Sequence, residues 1–119
     1  MGALEVRTKA MGTVTVLSVR GTVDGFSAPN LEKELQKLVD AGKNQFVVNL
    51  SATEFMSSAG WATLVVTLHR IRPKGGRLVL AQMSGAVTQV YEALDFRNVL
   101  TTYPTEQEAL AALKPADAK

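Results

Sequence analysis

Two adjacent serines, Ser57 and Ser58, stand where the chain changes character. An apolar run, Val47-Val48-Asn49-Leu50, gives way to a polar loop from Ser51 to Phe55 and then to Met56-Ser57-Ser58-Ala59-Gly60-Trp61, where a helix is expected to begin. Hydroxyls at a helix start lie beside backbone N–H groups that lack intrahelical partners and beside the positive end of the helix dipole, a resting place for phosphate. One serine is enough to cap a helix, so the bland reading of either residue is an N-cap. The doublet leaves a second hydroxyl to be modified, and the small Ala59 and Gly60 leave room for a phosphate or a partner's backbone. The chemistry on offer is reversible modification, a switch more than a catalyst.

Other chemistries find little support. The chain has no cysteine, which excludes disulfides, thiolate metal sites and cysteine nucleophiles. His69 is the only histidine and falls inside an expected helix, so neither a metal-ligand pair nor a nucleophile–histidine arrangement is at hand. No nucleophile elbow or phosphate-binding glycine loop is present, and Gly75-Gly76 precedes a strand without the spacing such loops need. The expectation is a protein that is not an enzyme and that uses no metal or other cofactor. The net charge is +2, and its one local cluster, Arg70, Arg72, Lys74 and Arg77, falls at a helix end with no interleaved aromatics. That suits helix capping better than nucleic-acid binding. No apolar run is long enough to cross a bilayer, and the first residues do not read as a secretory signal, so a cytoplasmic location without membrane insertion is expected.

The elements that must position the serines can be read from periodicity. At 119 residues the chain has room for one domain, expected over 1–113, with 114–119 as a flexible tail. Two alternating runs, Leu4 to Lys9 and Thr13 to Arg20, are separated by a hairpin-length break and should pair antiparallel. Ser27 and Pro29 mark a helix start, Leu31, Leu35, Leu38 and Val39 recur at helical spacing, and Gly42 stops the run. Gln45 to Leu50 reads as a buried strand. A second helix from about Ser58 lines up Trp61, Leu64, Val65, Leu68 and Ile71, and Leu78 to Ala81 forms the next strand. Ser84 can cap a third helix carrying Val87, Val90, Tyr91 and Leu94, and Val99 to Tyr103 is a short strand or extended segment. Thr105 and Glu108 make a capping box for a last helix with Ala109, Leu110 and Leu113.

This alternation predicts an α/β domain, with a mixed sheet of four to five strands and about four helices. If the strands ending at Arg20 and Leu50 are parallel neighbours, their following loops emerge at one sheet edge and bring Asp24 near Ser57 and Ser58. Asp24 can serve either its own turn, by accepting the amides of Gly25 to Ser27, or a partner. Trp61 shares the apolar stripe, so it reads first as core and second as an interface anchor.

Asn49-Leu50-Ser51, the spacing to Phe55-Met56, and Ser57-Ser58-Ala59-Gly60-Trp61 resemble the signature of STAS domains, the sulfate-transporter and anti-sigma-factor-antagonist family. Gly21-Thr22-Val23-Asp24 resembles the family's earlier glycine, apolar residue, aspartate motif, and the likeness extends from about Thr13 to Leu113. The family pattern of aspartate, phosphorylated serine, serine or threonine, and glycine falls on Ser57, Ser58, Ala59 and Gly60. This chain therefore carries serine where the family has an acidic residue. The resemblance implies a bacterial anti-sigma factor antagonist that binds an ATP-binding anti-sigma factor with serine kinase activity and is released when Ser58, or as a weaker candidate Ser57, is phosphorylated. It implies a partner-binding surface of Asp24, Gly25, Phe26, Ser57, Ser58, Ala59, Gly60 and Trp61. The missing acidic residue keeps open a second role, a non-cycling interaction module of a stressosome-like or lipid-transport assembly.

Overall fold

The central strands of the sheet alternate their side chains between two cores, and that alternation dictates the layering. In the computed structural model, which describes residues 4–113, β1 (Glu5–Met11) and β2 (Val14–Val23) pair antiparallel from Met11↔Val14 to Glu5↔Arg20. Gly12 and Thr13 make the turn, with Gly12 at φ 65°, the left-handed conformation that a two-residue hairpin loop requires. β2 runs three residues past the expected end at Arg20.

From β2 the chain passes through α1 (Ala28–Asp40) into β3 (Gln45–Asn49), which lies parallel to β2 with Thr15↔Phe46 through Ser18↔Asn49. β4 (Thr53–Met56) leads into α2 (Ser58–Ile71), and a 3-10 turn at Arg72–Lys74 returns the chain to β5 (Arg77–Ala81), parallel to β3. α3 (Gly85–Ala93), a 3-10 turn at Phe96–Asn98, β6 (Thr102–Tyr103) and α4 (Glu106–Leu113) complete the order. The strands run β1-β2-β3-β5-β6, and β4 pairs with the far end of β2.

One face of the sheet carries Leu17, Val19, Phe46, Val48, Leu78 and Leu80 against α1, α2 and α3. The other carries Val14, Val16, Val47, Val79 and Ala81 against Ala109 and Leu113 of α4. Period-2 burial of both faces is why these strands read as continuous apolar runs. Burying each such Val, Leu or Phe side chain contributes about 1.5–3 kcal/mol.

The caps at the far end follow the sequence. Ser84 Oγ accepts the Val87 amide at 3.4 Å and donates to the Thr53 carbonyl at 2.9 Å. Thr105 Oγ1 accepts the Glu108 amide at 3.1 Å. Two expectations are corrected. Residues 53–55, read as polar loop, form a strand together with Met56 because Gly21–Val23 offers them an unpaired parallel edge, with a register shift between Gly21 and Thr22. This gives six strands among the described residues instead of four to five. Leu94 was placed on the apolar stripe of α3, but the helix ends at Ala93 and Leu94 is exposed. The expected tail, 114–119, lies outside the described residues.

Candidate functional site

β4 is what brings the two motifs together. Its pairing with the end of β2 carries the chain to Ser57, whose amide donates to the Val23 carbonyl at 2.8 Å. Asp24 therefore begins its loop directly beside the start of α2. The sequence expectation of proximity holds, through β4 rather than through β3 itself.

Asp24 is committed to its own turn. Its Oδ1 accepts the amides of Phe26 at 2.9 Å and Ser27 at 3.0 Å. In return Ser27 Oγ accepts the Asp24 amide at 2.8 Å and reaches the Thr22 carbonyl at 2.9 Å. The Ser27 amide is the main reason the Asp24 carboxyl is held below its ordinary value of 3.8; partial burial acts the other way, and the Phe26 amide and Ser27 hydroxyl add to the lowering. Ser27 occupies the N-cap of α1 without capping it, because its hydroxyl is spent on this loop. The result is a locked turn that holds Phe26 out into solvent, 95% exposed.

The two serines have different surroundings. Ser57 is the N-cap residue of α2, with extended backbone, yet its hydroxyl makes no cap hydrogen bond. Ser57 Oγ is buried with no hydrogen-bond partner among the described residues. Ser58, the first helical residue, is exposed. The first intrahelical bond runs from the Trp61 amide to the Ser57 carbonyl at 3.1 Å, so the amides of Ser58, Ala59 and Gly60 precede the helical ladder. No side chain fills the capping role, and no acidic residue occupies the first turn. An added anion at Ser58 thus meets free amides and the positive end of a fourteen-residue helix.

Two residues expected at the partner surface lie inside. Trp61 is 1% exposed and packs on Phe96 and Tyr91, with ring centroids 5.2 and 6.1 Å away. Gly60 does not leave room for a ligand. A Cβ there would stand 2.6 Å from Met56 Cγ and 2.7 Å from Val23 Cγ1, so its missing side chain lets α2 close down on β2 and β4. Asp24, Gly25, Phe26, Ser58 and Ala59 stay at or near the surface. Pro29, read from sequence only as a helix-start marker, and Glu32, Ala62 and Val66 continue this face along α1 and α2 and were not assigned to it from sequence. The i, i+4 spacing of Ala62 and Val66, opposite the Leu64 and Leu68 stripe, was the available signal.

Among the described residues no cluster of histidine and carboxylate side chains could hold a metal ion, and no helix is long and apolar enough to cross a membrane.

Comparison with known proteins places these features in context. Residues 5–109 match the family model described as STAS domain. A Bordetella bronchiseptica protein, BtrV, described as an anti-sigma factor antagonist, is 30% identical over 101 residues, covering 85% of this chain and 87% of the relative. The crystal structure of an anti-sigma factor antagonist from Mycobacterium paratuberculosis superposes with a TM-score of 0.87 at 26% identity, covering 95% of this chain and 96% of the other. The Bacillus cell fate determinant SpoIIAA in its phosphorylated form shares the fold, with a TM-score of 0.70 at 17% identity over 94% of this chain and the whole of that one.

Proposed function

The chain belongs to the STAS domain family, and from that premise we propose that it is an anti-sigma factor antagonist switched by phosphorylation of Ser58. Unmodified, it binds an anti-sigma factor through the surface around Asp24, Gly25, Phe26, Ser58 and Ala59. That sequesters the anti-sigma factor and frees a sigma factor for transcription. The partner is itself an ATP-binding serine kinase that supplies the nucleotide and the catalysis.

The observation that carries this reading is the contrast between the serines: an exposed Ser58 hydroxyl at an uncapped helix start, beside a Ser57 hydroxyl closed off from solvent. A kinase can reach the first without disturbing the fold. Phosphate there adds about −1.5 to −2 charges at pH 7. The helix amides stabilise it in the free protein, whereas an interface fitted to a neutral hydroxyl beside Phe26 and Ala59 must desolvate it. Release follows locally, with no change of fold. The described phosphorylated form of SpoIIAA supports a fold that tolerates the modification.

The test is titration of the unmodified protein, and of Ser58→Glu, into the organism's ATP-binding anti-sigma factor. Binding of the unmodified chain and a loss of about 2 kcal/mol or more with Ser58→Glu are expected. Equal affinity for both would remove the switch and leave a non-cycling binding module, the role that serine in place of the family's acidic residue at position 57 favours.

A further inference from the structure

One long side of the sheet is open. β1 ends the order β1-β2-β3-β5-β6, and among the described residues nothing pairs with its outer edge. The opposite edge is only the two residues of β6, whereas β1 runs for seven in unbroken register with β2. Proline, bulges and short length are devices that keep other strands off an edge, and β1 has none of them. The two-residue turn makes Met11↔Val14 the closing hydrogen-bonded pair. By alternation, Lys9, Arg7 and Glu5 direct their backbone N–H and C=O groups at β2, while Ala10, Thr8 and Val6 direct theirs outward.

The side chains of β1 are as unfinished as its backbone. Leu4 and Val6 pack on the rim of the main core and stay only partly buried. Glu5, Arg7 and Lys9 share the other face, where Arg7 Nε donates to Glu5 Oε2 at 3.0 Å and Lys9 Nζ lies 3.5 Å from Glu106 Oε2. Exposed cations on an edge repel an arbitrary strand. A row of acid, base, base at every second position therefore selects which strand can lie against it and in which register.

We propose that this edge pairs with β1 of a second copy, antiparallel about a twofold axis at Arg7, so that one sheet runs through both molecules. The outward groups of Val6, Thr8 and Ala10 must pair among themselves, which allows the axis to fall on Val6, Arg7 or Thr8. An axis on Thr8 sets Arg7 against Lys9 of the second copy, like charge on like. An axis on Val6 pairs only residues 4–8 of the described strand. An axis on Arg7 sets Glu5 opposite Lys9 of the second copy, twice over, and the two Arg7 side chains that meet at the axis are each already paired with their own Glu5. On the other face the same register lays Val6 against Thr8 and Leu4 against Ala10, covering the half-exposed rim of each core. The pairing is isologous and closes at two copies. It uses no residue of the surface around Asp24, Phe26 and Ser58, so the dimer carries two such surfaces.

The experiment is sedimentation equilibrium of the full chain with charge variants, followed by disulfide trapping, for which a chain without cysteine is suited. The unmodified chain is expected to show a monomer–dimer equilibrium. Glu5→Lys alone and Lys9→Glu alone should each weaken association about tenfold, since each sets like charges opposite one another at two symmetric positions. An equal mixture of the two variants should recover it, because every cross-strand pair is then of opposite sign. Recovery on mixing also separates an interface effect from damage to either fold. In the trapping arm, Arg7→Cys should oxidise to a covalent dimer at least about tenfold faster than Val6→Cys, Thr8→Cys or an exposed control, Gln89→Cys on α3, because Cα atoms at a non-hydrogen-bonded pair stand about 4.5 Å apart, within disulfide reach. A chain that stays monomeric up to about 1 mM, a mixture no tighter than its components, or fastest trapping at any position other than 7 overturns the proposal.

Discussion

Replacing Ser57 with alanine should stabilise this protein, although serine at a helix N-cap ordinarily stabilises. A working Ser cap is worth about 0.5–2 kcal/mol, because its oxygen satisfies an otherwise unpaired amide. Ser57 Oγ makes no such bond and is buried without a partner among the described residues. In the unfolded chain that hydroxyl is hydrated, so folding forfeits its water without compensation, at a cost of about 1–3 kcal/mol for a fully stranded group. Removing it returns part of that cost. The loss of one hydroxyl's packing contacts subtracts a few tenths of a kcal/mol. Ser57→Ala is therefore expected to gain up to about 1 kcal/mol. Ser84→Ala, at a cap whose Oγ bonds both the Val87 amide and the Thr53 carbonyl, should lose about 1–2 kcal/mol. Urea unfolding followed by Trp61 emission is a suitable assay, since Trp61 is the only tryptophan and is 1% exposed in the folded state. A loss of 1 kcal/mol or more for Ser57→Ala, at unchanged denaturant slope, would refute the reasoning and show that the Ser57 hydroxyl is bonded.

Three further outcomes follow from the same geometry. Gly60→Ala drives a methyl into Met56 and the β-branched Val23 at 2.6–2.7 Å; Met56 can yield and Val23 cannot, so a loss of about 1–3 kcal/mol in urea unfolding is expected. Asp24 binds its proton more weakly when folded, so its contribution is present above its ordinary value of 3.8 and disappears as pH falls through the lowered folded value. Asp24→Asn should flatten that acid limb of the thermal midpoint, and superimposable profiles for the two proteins would contradict the locked turn. Tyr91→Phe strips the Leu100 carbonyl of a buried donor at 2.6 Å and should cost about 1 kcal/mol, read by the same unfolding assay.

Much of this fold was legible because its central strands are buried on both faces and its helices carry apolar stripes at helical spacing. Val47 and Val48 face opposite cores, so Gln45 to Leu50 reads as a strand without ambiguity. The caps at Ser84 and Thr105 were legible for the same local reason. β4 was not, because Thr53-Glu54-Phe55-Met56 has a strand's identity only through the free edge of Gly21–Val23, which no local pattern announces. At the site, the meeting of Asp24 with the serine pair followed from topology. The division of labour between Ser57 and Ser58 did not, since which hydroxyl faces inward depends on how α2 seats on β2. Gly60 shows the limit most clearly: a small residue after a serine pair suggests space for a ligand, yet its own space is taken up by Met56 and Val23. The groove between α1 and α2 was hidden for a related reason, because Ala28, Ala59 and Ala62 define it by what they leave unfilled.

Phosphopeptide mass spectrometry of the protein from its native cells, across growth and stress conditions, tests the central claim most directly. The account predicts phosphate on Ser58 and none on Ser57, whose hydroxyl a kinase cannot reach in the folded state. Phosphate on Ser57, or a Ser57–Ser58 peptide that stays unmodified in every condition, would contradict it.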